Sequence, residues 1–434
     1  MTTVEGDTAS AERTGPAGAG RSAPDRPRRA RRAPQRPVAV LLALAFFFVP
    51  AAAFGIGERA QEIENRRLTA LPSVSDGWDF FDHFTAWAVD HMPLRDDAVR
   101  GNAALSERVF GEPPSYDTGE SVAGIPGVGG AQPPAGPETA TTDRVVQGRD
   151  GWLYLGSDFS LACDPAWTVA DTIARAGRLA RAVEASGRRF VLTVAPNKST
   201  AWPQQLPADY RGKNCAAPRR EAFWTALRST PPRGYLDLLG PIRSAQAAAG
   251  RAAYLRIDTH WDELGAAVYA RELAERLRPG LTRGTRLVPA GTVKRGGDLS
   301  VVLGRPDLED APVVRVDRPG VRPGPDADAD VPKLTGQPAR ITHSTTGVPL
   351  FRPRTLLLGD SFSDAARRKV APFFADLTVL RFDASGRVMA SAMVDSDVVV
   401  VEIVERSLNG GEPPVLSPGN LSAFEAALRA NPRR

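Results

Sequence analysis

The sequence predicts an α/β protein with three layers, in which helices cover both faces of a mostly parallel sheet. From Arg144 onward, short apolar runs alternate with segments of helical periodicity. Two of the runs, Arg189–Ala195 and Val398–Val404, are apolar almost throughout, which is typical of strands buried on both faces. Because parallel neighbours need a crossover that is usually a helix, this alternation favours a parallel sheet.

The N-terminal residues predict attachment to a membrane. Residues 1–36 are rich in Gly, Pro, Ala and Arg, so we expect a disordered cytoplasmic tail. Residues 37–57 carry no charged side chain, and about 20 apolar residues suffice for a transmembrane signal anchor. Arginines before this segment and Glu58 after it predict a single-pass cell-membrane protein whose folded domain is extracytoplasmic. A cleaved signal peptide is the alternative, because Ala51-Ala52-Ala53 resembles a cleavage site.

Two further segments precede the α/β domain. Residues 58–111 repeat apolar side chains at spacings of three and four, which predicts a helical neck. Residues 112–143 contain many Pro and Gly and few apolar anchors, which predicts a flexible insertion. The α/β domain then spans residues 144–434.

Within that domain each element has its own signal. Val145–Leu155 predicts a hairpin that turns at Asp150-Gly151. Apolar periodicity predicts the following helices: Thr168–Ser186, Arg219–Arg228, Leu238–Ala249, Asp262–Leu277, one near Ser363, and Ser422–Ala430. Apolar runs predict the following strands: Arg189–Ala195, Gly234–Asp237, Thr355–Leu358, Leu377–Arg381 and Val398–Val404. Ala311–Thr346, rich in Pro, Asp and Gly, predicts loops and short edge strands.

The distribution of charge argues against a nucleic-acid partner. The net charge is +5, but residues 1–36 hold eight Arg against four acids. The rest of the chain therefore has a net charge of only +1. A nearly neutral domain lacks the basic surface expected of a nucleic-acid binder.

The cysteines predict one disulfide and no zinc site. Cys163 and Cys215 are the only two cysteines, too few for a tetrahedral site built from thiolates. In an exported chain the simple interpretation is a Cys163–Cys215 disulfide. Two unrelated buried thiols are the alternative. No metal or cofactor is expected.

A serine follows one of the buried strands at a turn. The strand Thr355–Leu358 runs into Gly359-Asp360-Ser361, and a helix follows. Ligand sites of open α/β sheets lie outside the carboxyl ends of strands, where free N–H groups of a helix N-terminus can stabilise an oxyanion. Ser361 is therefore a candidate nucleophile, and a simple helix cap is the alternative.

A second motif supplies a base for that serine. If Tyr254–Trp261 is extended, Asp258 and His260 point to the same side. Asp258 then fixes the imidazole tautomer, and His260 takes the proton of a serine hydroxyl. The alternatives are a capping Asp beside a structural His, or two metal ligands, for which no third strong ligand is near in sequence. Together the two motifs predict a catalytic triad of Asp258, His260 and Ser361.

These motifs carry a family resemblance. Gly359-Asp360-Ser361-Phe362 resembles the Gly-Asp-Ser motif of SGNH hydrolases. With Asp258-Thr259-His260 placed before the serine, the order is similar to that of the AlgJ/AlgX family of alginate O-acetyltransferases. Further matches in the same order are Glu64-Asn65-Arg66, Asp90–Arg95, Gly148–Leu153, Pro196–Lys198, Gly297–Leu299 and Val401–Arg406.

The resemblance implies an SGNH hydrolase-like fold and an enzyme that acetylates hydroxyls of an exported or cell-surface polysaccharide. Ser361 would form an acetyl-serine, His260 would be the base and Asp258 would orient it. A membrane O-acyltransferase would supply the acetyl group, and the polysaccharide would be the acceptor. The alternatives are a carbohydrate esterase with the same residues and a non-catalytic scaffold of a modification complex.

Several neighbouring residues are weaker candidates. Lys198 follows a buried strand and could bind an anionic sugar or order a loop. Asn197 could donate to an oxyanion or bond a turn, and Gly359 allows close backbone approach there. Glu402 and Arg406, four residues apart, are expected to pair, with a catalytic role as the alternative.

Overall fold

The computed structural model describes residues 144–305, 307–324 and 331–433, together with Phe48, Val49, Ala52, Phe84 and Trp87. Apart from those five residues, the expected tail, signal anchor, neck and insertion lie outside the described residues. Within the part that is described, none of the helices has both the length and the apolar character that a membrane span requires. The chain divides into residues 1–58 and 59–434, and the folded domain belongs to the second unit.

Eleven strands are found among the described residues. In chain order they are β1 (Val145–Gln147), β2 (Leu153–Leu155), β3 (Arg189–Ala195), β4 (Tyr235–Leu236), β5 (Arg286–Gly296), β6 (Leu308–Asp317), β7 (Val321–Pro323), β8 (Ala339–Thr345), β9 (Thr355–Gly359), β10 (Asp376–Arg381) and β11 (Val398–Val404). Seven of these strands form the central sheet in the order β4-β3-β11-β9-β10-β8-β7. β1 pairs with β2, and β5 pairs with β6, as separate two-stranded hairpins.

The central sheet is mixed: its five neighbouring strands from β4 to β10 are parallel, as the sequence predicts, and two strands at one edge are antiparallel. β4, β3, β11, β9 and β10 are parallel neighbours, with Arg189 opposite Val398 and Thr355 opposite both Val398 and Leu377. β8 and β7 continue the sheet antiparallel. These two edge strands come from the Pro-, Asp- and Gly-rich segment, in whose described residues no helix is available as a crossover, and antiparallel pairing does not require one.

Helices cover both faces of this sheet. In chain order they are α1 (Ser157–Cys163), α2 (Val169–Ala185), α3 (Lys198–Ala201), α4 (Lys213–Ser229), α5 (Leu239–Ala249), α6 (Glu263–Leu277), α7 (Asp298–Val302), α8 (Ser361–Val370), α9 (Gly386–Asp395), α10 (Glu405–Asn409) and α11 (Pro418–Ala430). α5, α6 and α8 pack together, and α2, α9 and α11 form a second group. Since every residue of β9 and β11 is buried, both faces of the sheet are covered, as expected for three layers.

Several local predictions are confirmed. The β1–β2 hairpin turns through Asp150 (φ 55°) and Gly151 (φ 73°), both in the left-handed region. Cys163 and Cys215 form a disulfide that joins the end of α1 to the first turn of α4. The β5–β6 hairpin, whose β5 strand is almost entirely exposed, has no counterpart among the sequence predictions.

Candidate active site

The candidate nucleophile lies at the turn between β9 and α8. Asp360 is the N-cap of α8, and its Oδ1 accepts a hydrogen bond from the Phe362 N–H at 2.8 Å. Its Oδ2 accepts from the Val404 N–H at 2.8 Å, which ties the turn to β11. Ser361 is the first residue of α8, so the alternative that it is only a helix cap is wrong. It directly follows Asp360 at the carboxyl end of β9, which has a parallel neighbour on each side.

A buried carboxyl group on β11 stabilises this turn. Oε2 of Glu402 accepts from the Asp360 N–H (3.3 Å), the Ser363 N–H (3.1 Å) and the Ser363 hydroxyl (2.7 Å). Burial, and then the charge of Asp360, raise the pKa of Glu402 well above its ordinary value of 4.5. A Cβ at Gly359 would collide with the Ser363 side chain, so glycine lets β9 approach α8 closely. The expected Glu402–Arg406 pair does not form, because Glu402 points to this turn.

The segment that carries the candidate base is a loop, and the expectation of an extended strand is wrong. Only an isolated bridge between Tyr254 and Trp261 gives it regular pairing. Asp258 and His260 nevertheless meet: Asp258 Oδ1 accepts from the His260 backbone N–H at 2.8 Å and contacts His260 Nδ1 at 2.8 Å. A turn that brings residue i+2 back onto the carboxylate therefore makes the predicted contact.

The contact with Asp258 defines the state of the imidazole. The Nδ1 proton points to the carboxylate, which leaves the lone pair of the neutral ring on Nε2. Nε2 of His260 is buried and has no hydrogen-bond partner among the described residues. Burial lowers the pKa of His260, but the hydrogen bond and charge of Asp258 outweigh it, so the pKa lies above 6.5. Burial raises the pKa of Asp258, but the bond and charge of His260 bring it below 3.8.

Asp298 is a third polar residue that sequence reasoning missed. Its Oδ1 accepts from the Thr259 N–H at 2.7 Å, and its Oδ2 lies 3.8 Å from His260 Nδ1. Burial, and then the charge of Asp258, raise the pKa of Asp298. The expectation that Asp258 and His260 lack a third metal ligand is therefore wrong, since ligand atoms of Asp258, His260 and Asp298 lie within 4.8 Å of one another. Its only sequence signal was the family-like Gly297-Asp298-Leu299.

Lys198 holds the loop in place. Its buried ammonium group donates to the carbonyl oxygens of Leu255 (3.0 Å), Arg256 (3.1 Å) and Asp258 (2.5 Å). Burial lowers the pKa of Lys198 to about 8. Because an ammonium group has three N–H donors, these bonds occupy all of them. Of the two roles considered for Lys198, these contacts match the ordering of a loop.

The base loop is fastened to the nucleophile turn by aromatic contacts. The Trp261 indole Nε1–H donates to the Phe362 carbonyl oxygen at 3.0 Å. The His260 ring lies with its centroid 5.0 Å from that of Phe362, the residue after Ser361. In the described part of the chain no hydrogen bond joins His260 to Ser361 directly. Such bonds are often long in enzymes without substrate and tighten when it binds.

A cavity of about 530 Å³ opens beside this arrangement. Its polar lining includes Thr259, Asp298, Ser361, Arg144, Arg381 and Arg406. This volume is in the range of small-ligand sites. Asn197, Lys198 and Gly359 are not among its described lining residues. Asn197 instead caps α3 and accepts from the Arg406 N–H through Oδ1 at 3.3 Å.

Comparisons with known proteins agree with the sequence resemblance. The chain is 29% identical over 132 residues to the probable alginate O-acetylase AlgJ of Pseudomonas syringae pv. tomato, which is 30% of this chain and 32% of that protein. It is 30% identical over 137 residues to the same-named protein of Pseudomonas aeruginosa, which is 31% of this chain and 33% of that protein. The matches thus span about a third of the length of these relatives.

Solved structures of low identity are also similar. The O-acetyltransferase domain of Pseudomonas putida AlgJ is 20% identical, with a TM-score of 0.41, covering 65% of this chain and 98% of that one. Bacillus cereus PatB1 is 13% identical, with a TM-score of 0.42, covering 63% and 99%.

The model of one protein family matches a large part of the chain. It describes the SGNH hydrolase-like domain of the acetyltransferase AlgX and matches residues 145–393. The match runs from β1 through β10 into α9 and contains Asp258, His260 and Ser361. Since it covers more than half of the sequence, the chain belongs to the family of AlgX-type SGNH hydrolase-like acetyltransferase domains.

Proposed function

We propose that this protein is an O-acetyltransferase that acetylates hydroxyl groups of a polysaccharide through an acetyl-Ser361 intermediate. The observation that carries the proposal is the Asp258–His260 hydrogen bond of 2.8 Å, which leaves a buried, unpartnered Nε2 beside the turn that presents Ser361. Membership of the AlgX-type family supports the reaction class.

In the first half-reaction Ser361 takes the acetyl group. His260 Nε2 accepts the hydroxyl proton while the Ser361 oxygen bonds to the acetyl carbon of an ester donor. The tetrahedral intermediate then expels the donor alcohol, which receives the proton from His260. Asp258 keeps the imidazole oriented and stabilises the imidazolium that forms between these steps.

In the second half-reaction the polysaccharide hydroxyl replaces the donor. His260 removes its proton, the sugar oxygen bonds to the acetyl carbon, and the bond from that carbon to the serine oxygen breaks as Ser361 regains the proton. Water in place of the sugar would give an esterase with the same residues. Exclusion of water from the acetyl-enzyme therefore decides between transfer and hydrolysis.

The cellular setting forms part of the proposal. The uncharged residues 37–57 anchor the chain, the domain lies outside the cytoplasm, and a membrane O-acyltransferase supplies the acetyl group. Epitopes at the two ends of the chain test the orientation. In intact cells an external protease should remove the C-terminal epitope and spare the N-terminal one, and the reverse pattern would refute it.

The activity is tested with 4-nitrophenyl acetate, with and without neutral and anionic oligosaccharides, and the products are identified by mass. We expect acetylated oligosaccharide from the wild type and none from Ser361→Ala, since losing a triad member costs orders of magnitude. Ser391→Ala, an exposed serine on α9, is the control that should retain activity. Free acetate without any acetylated sugar would assign an esterase, and more than about a tenth of the activity in Ser361→Ala would remove Ser361 from the mechanism.

A further inference from the structure

One arginine that lines the cavity takes no part in the two half-reactions. Arg406 lies in α10, directly after the carboxyl end of β11, and its side chain lines the cavity that contains Ser361. Its backbone is held firmly: the Arg406 N–H donates to Asn197 Oδ1 at 3.3 Å. The preceding Glu405 accepts from the Asn197 N–H (2.9 Å) and the Thr200 hydroxyl (2.8 Å). α10 is thus fixed to α3 at the base of the cavity.

The guanidinium group of Arg406 is enclosed but not satisfied. The side chain is only 15% exposed, and it makes no hydrogen bond to the residues that the structure describes. Asp158 Oδ1 lies 3.8 Å from Nη1, within ion-pair range but too far for a hydrogen bond. Nη1 and Asp158 Oδ1 are both buried without a hydrogen-bond partner.

This situation differs from that of another arginine in the same cavity. Arg381 donates through Nε to both oxygens of Asp383, at 3.3 and 3.2 Å. Buried donors are normally paired, and leaving them unpaired is costly. Nη1 of Arg406 lies nearest Asp158, so the donors that remain for an acceptor on the reacting molecule are Nε and Nη2.

The position of Arg406 relative to the reacting groups indicates which atom of the reacting molecule accepts its hydrogen bond. Its Cζ lies 5.6 Å from the ring centroid of Phe362, the side chain that also contacts His260. The cation and the candidate base therefore contact the residue that follows Ser361. When the serine oxygen attacks the acetyl carbon, the carbonyl oxygen becomes an oxyanion in the cavity that Ser361 and Arg406 both line.

We propose that Arg406 is a catalytic residue whose guanidinium donates a hydrogen bond to the acetyl oxygen as it becomes negative. The inference rests on the proposed function, in which Ser361 is the nucleophile. As the bond between the serine oxygen and the acetyl carbon forms, the carbonyl π electrons move onto oxygen and are held by Arg406. They return when the bond to the leaving alcohol breaks, and Arg406 keeps its protons throughout.

The test measures acetylation of the enzyme itself. Full-length wild type, Arg406→Gln and Arg406→Lys are mixed rapidly with 4-nitrophenyl acetate without an acceptor, and the burst of nitrophenolate is followed. We expect Arg406→Gln to lower the acylation rate constant about 10- to 100-fold, since loss of one oxyanion donor has an effect of that order or larger. The acylation rate constant of Arg406→Lys should lie between those of the wild type and Arg406→Gln, because lysine keeps the positive charge. Arg178→Gln, a change at a partly exposed arginine paired with Glu425, is the matched control.

A pH profile separates catalysis from a structural effect. The groups that act on His260 are Asp258 in its own loop, Asp298 in α7 and Arg406 in α10, and the Arg406 charge lowers the pKa of His260. Removing that charge in Arg406→Gln should move the acidic limb of the burst rate to higher pH. A charge that acts only through the pKa of His260 would move this limb and leave the rate on the high-pH plateau unchanged, whereas a bond to the oxyanion requires that the plateau fall as well.

Further comparisons distinguish a catalytic loss in Arg406→Gln from misfolding and from failure of the proposed function. Because Arg406→Gln leaves Asp158 unpaired, the double variant Asp158→Asn/Arg406→Gln restores a neutral pair and should fold while showing the same slow acylation. A burst rate within about twofold of wild type in a folded Arg406→Gln variant would overturn the inference, as would a loss seen only in transfer to the oligosaccharide. A wild type that forms no acetyl-enzyme would instead overturn the proposed function.

Discussion

The nucleophile turn and the base loop are built in opposite ways. The turn at residues 359–363 lies between a strand and a helix, and its bonds come from its own residues and the adjacent strand β11. The loop at residues 254–261 has no strand or helix of its own. Lys198, Asp298 and Glu309 hold it, the last through a 3.0 Å bond from the Ile257 N–H.

This difference shows that the two halves of the site have different vulnerabilities. A strand–helix turn keeps its geometry as long as the sheet exists. A loop bonded by three separate elements depends on each of them, including the exposed β5–β6 hairpin that carries Glu309. Substitutions far from the reacting atoms should therefore disturb His260 more readily than Ser361.

The largest expected effect comes from Asp258→Asn in the loop. Asparagine presents an N–H where the carboxylate accepted from Nδ1, so the imidazole turns to the wrong tautomer. We expect the acylation rate to fall on the order of 10³–10⁴-fold, as the equivalent change does in trypsin, while the fold is kept. Burst kinetics and circular dichroism check this. A loss below about tenfold would remove Asp258 from the orienting role.

Lys198→Met tests the support of the same loop. It leaves the carbonyl oxygens of Leu255 and Asp258 without a donor, whereas that of Arg256 keeps the Leu153 N–H, and it nearly preserves the side-chain volume. We expect a decrease of roughly 2–4 kcal/mol in the free energy of unfolding, together with slower acylation. Urea denaturation measures the first quantity. Lys294→Met, which removes an exposed lysine paired with Asp310, is the control, and equal stability of the two variants would contradict the account.

Asp298→Asn should have a smaller, electrostatic effect. The amide oxygen can still accept from the Thr259 N–H, so the loop keeps its shape, but a negative charge that raises the pKa of His260 is lost. The acidic limb of the rate profile should move to lower pH, with only a several-fold change in rate. Activity that disappears with a chelator and returns with a divalent cation would assign the Asp258–His260–Asp298 cluster to a metal instead.

The smallest effect is expected in the nucleophile turn, from Glu402→Gln. Burial raises the pKa of Glu402 and so favours the neutral carboxyl in the fold; glutamine is nearly isosteric with it, and activity should stay within about twofold. In the unfolded chain Glu402 ionises above its ordinary pKa of 4.5, so the wild type loses stability as pH rises. The variant should therefore gain stability relative to the wild type with increasing pH. If the stability of the variant relative to the wild type instead decreased as pH rises, Glu402 would be ionised in the folded protein.

Much of the fold was predictable because its signals are local. The strands Arg189–Ala195 and Val398–Val404 have the predicted bounds, since continuous apolar runs mark fully buried strands. The β5–β6 hairpin was missed because exposed strands show no such run. α4 begins earlier than expected, at Lys213, and continues through Pro218, whose ring removes one i to i−4 hydrogen bond without ending the helix.

The residues of the candidate site likewise divide into those with a local sequence signal and those without one. Ser361 was identifiable from its turn, and Asp258 with His260 from their spacing, although the reason given for that contact was wrong. The roles of Asp298 and Arg406 depend on tertiary contacts with residues far away in sequence, such as Thr259 and Asp158. No local pattern could have specified those contacts.

The central claim, that His260 activates Ser361 for acetyl transfer, is tested most directly by trapping the intermediate. The wild type, Ser361→Ala and His260→Ala are mixed with 4-nitrophenyl acetate, quenched in acid and digested, and the peptides are mapped by mass spectrometry. The account predicts one added acetyl group on Ser361 in the wild type and none at that position in either variant within the same time. An acetyl group on another residue that persists in Ser361→Ala, or equal labelling of Ser361 in His260→Ala, would contradict it.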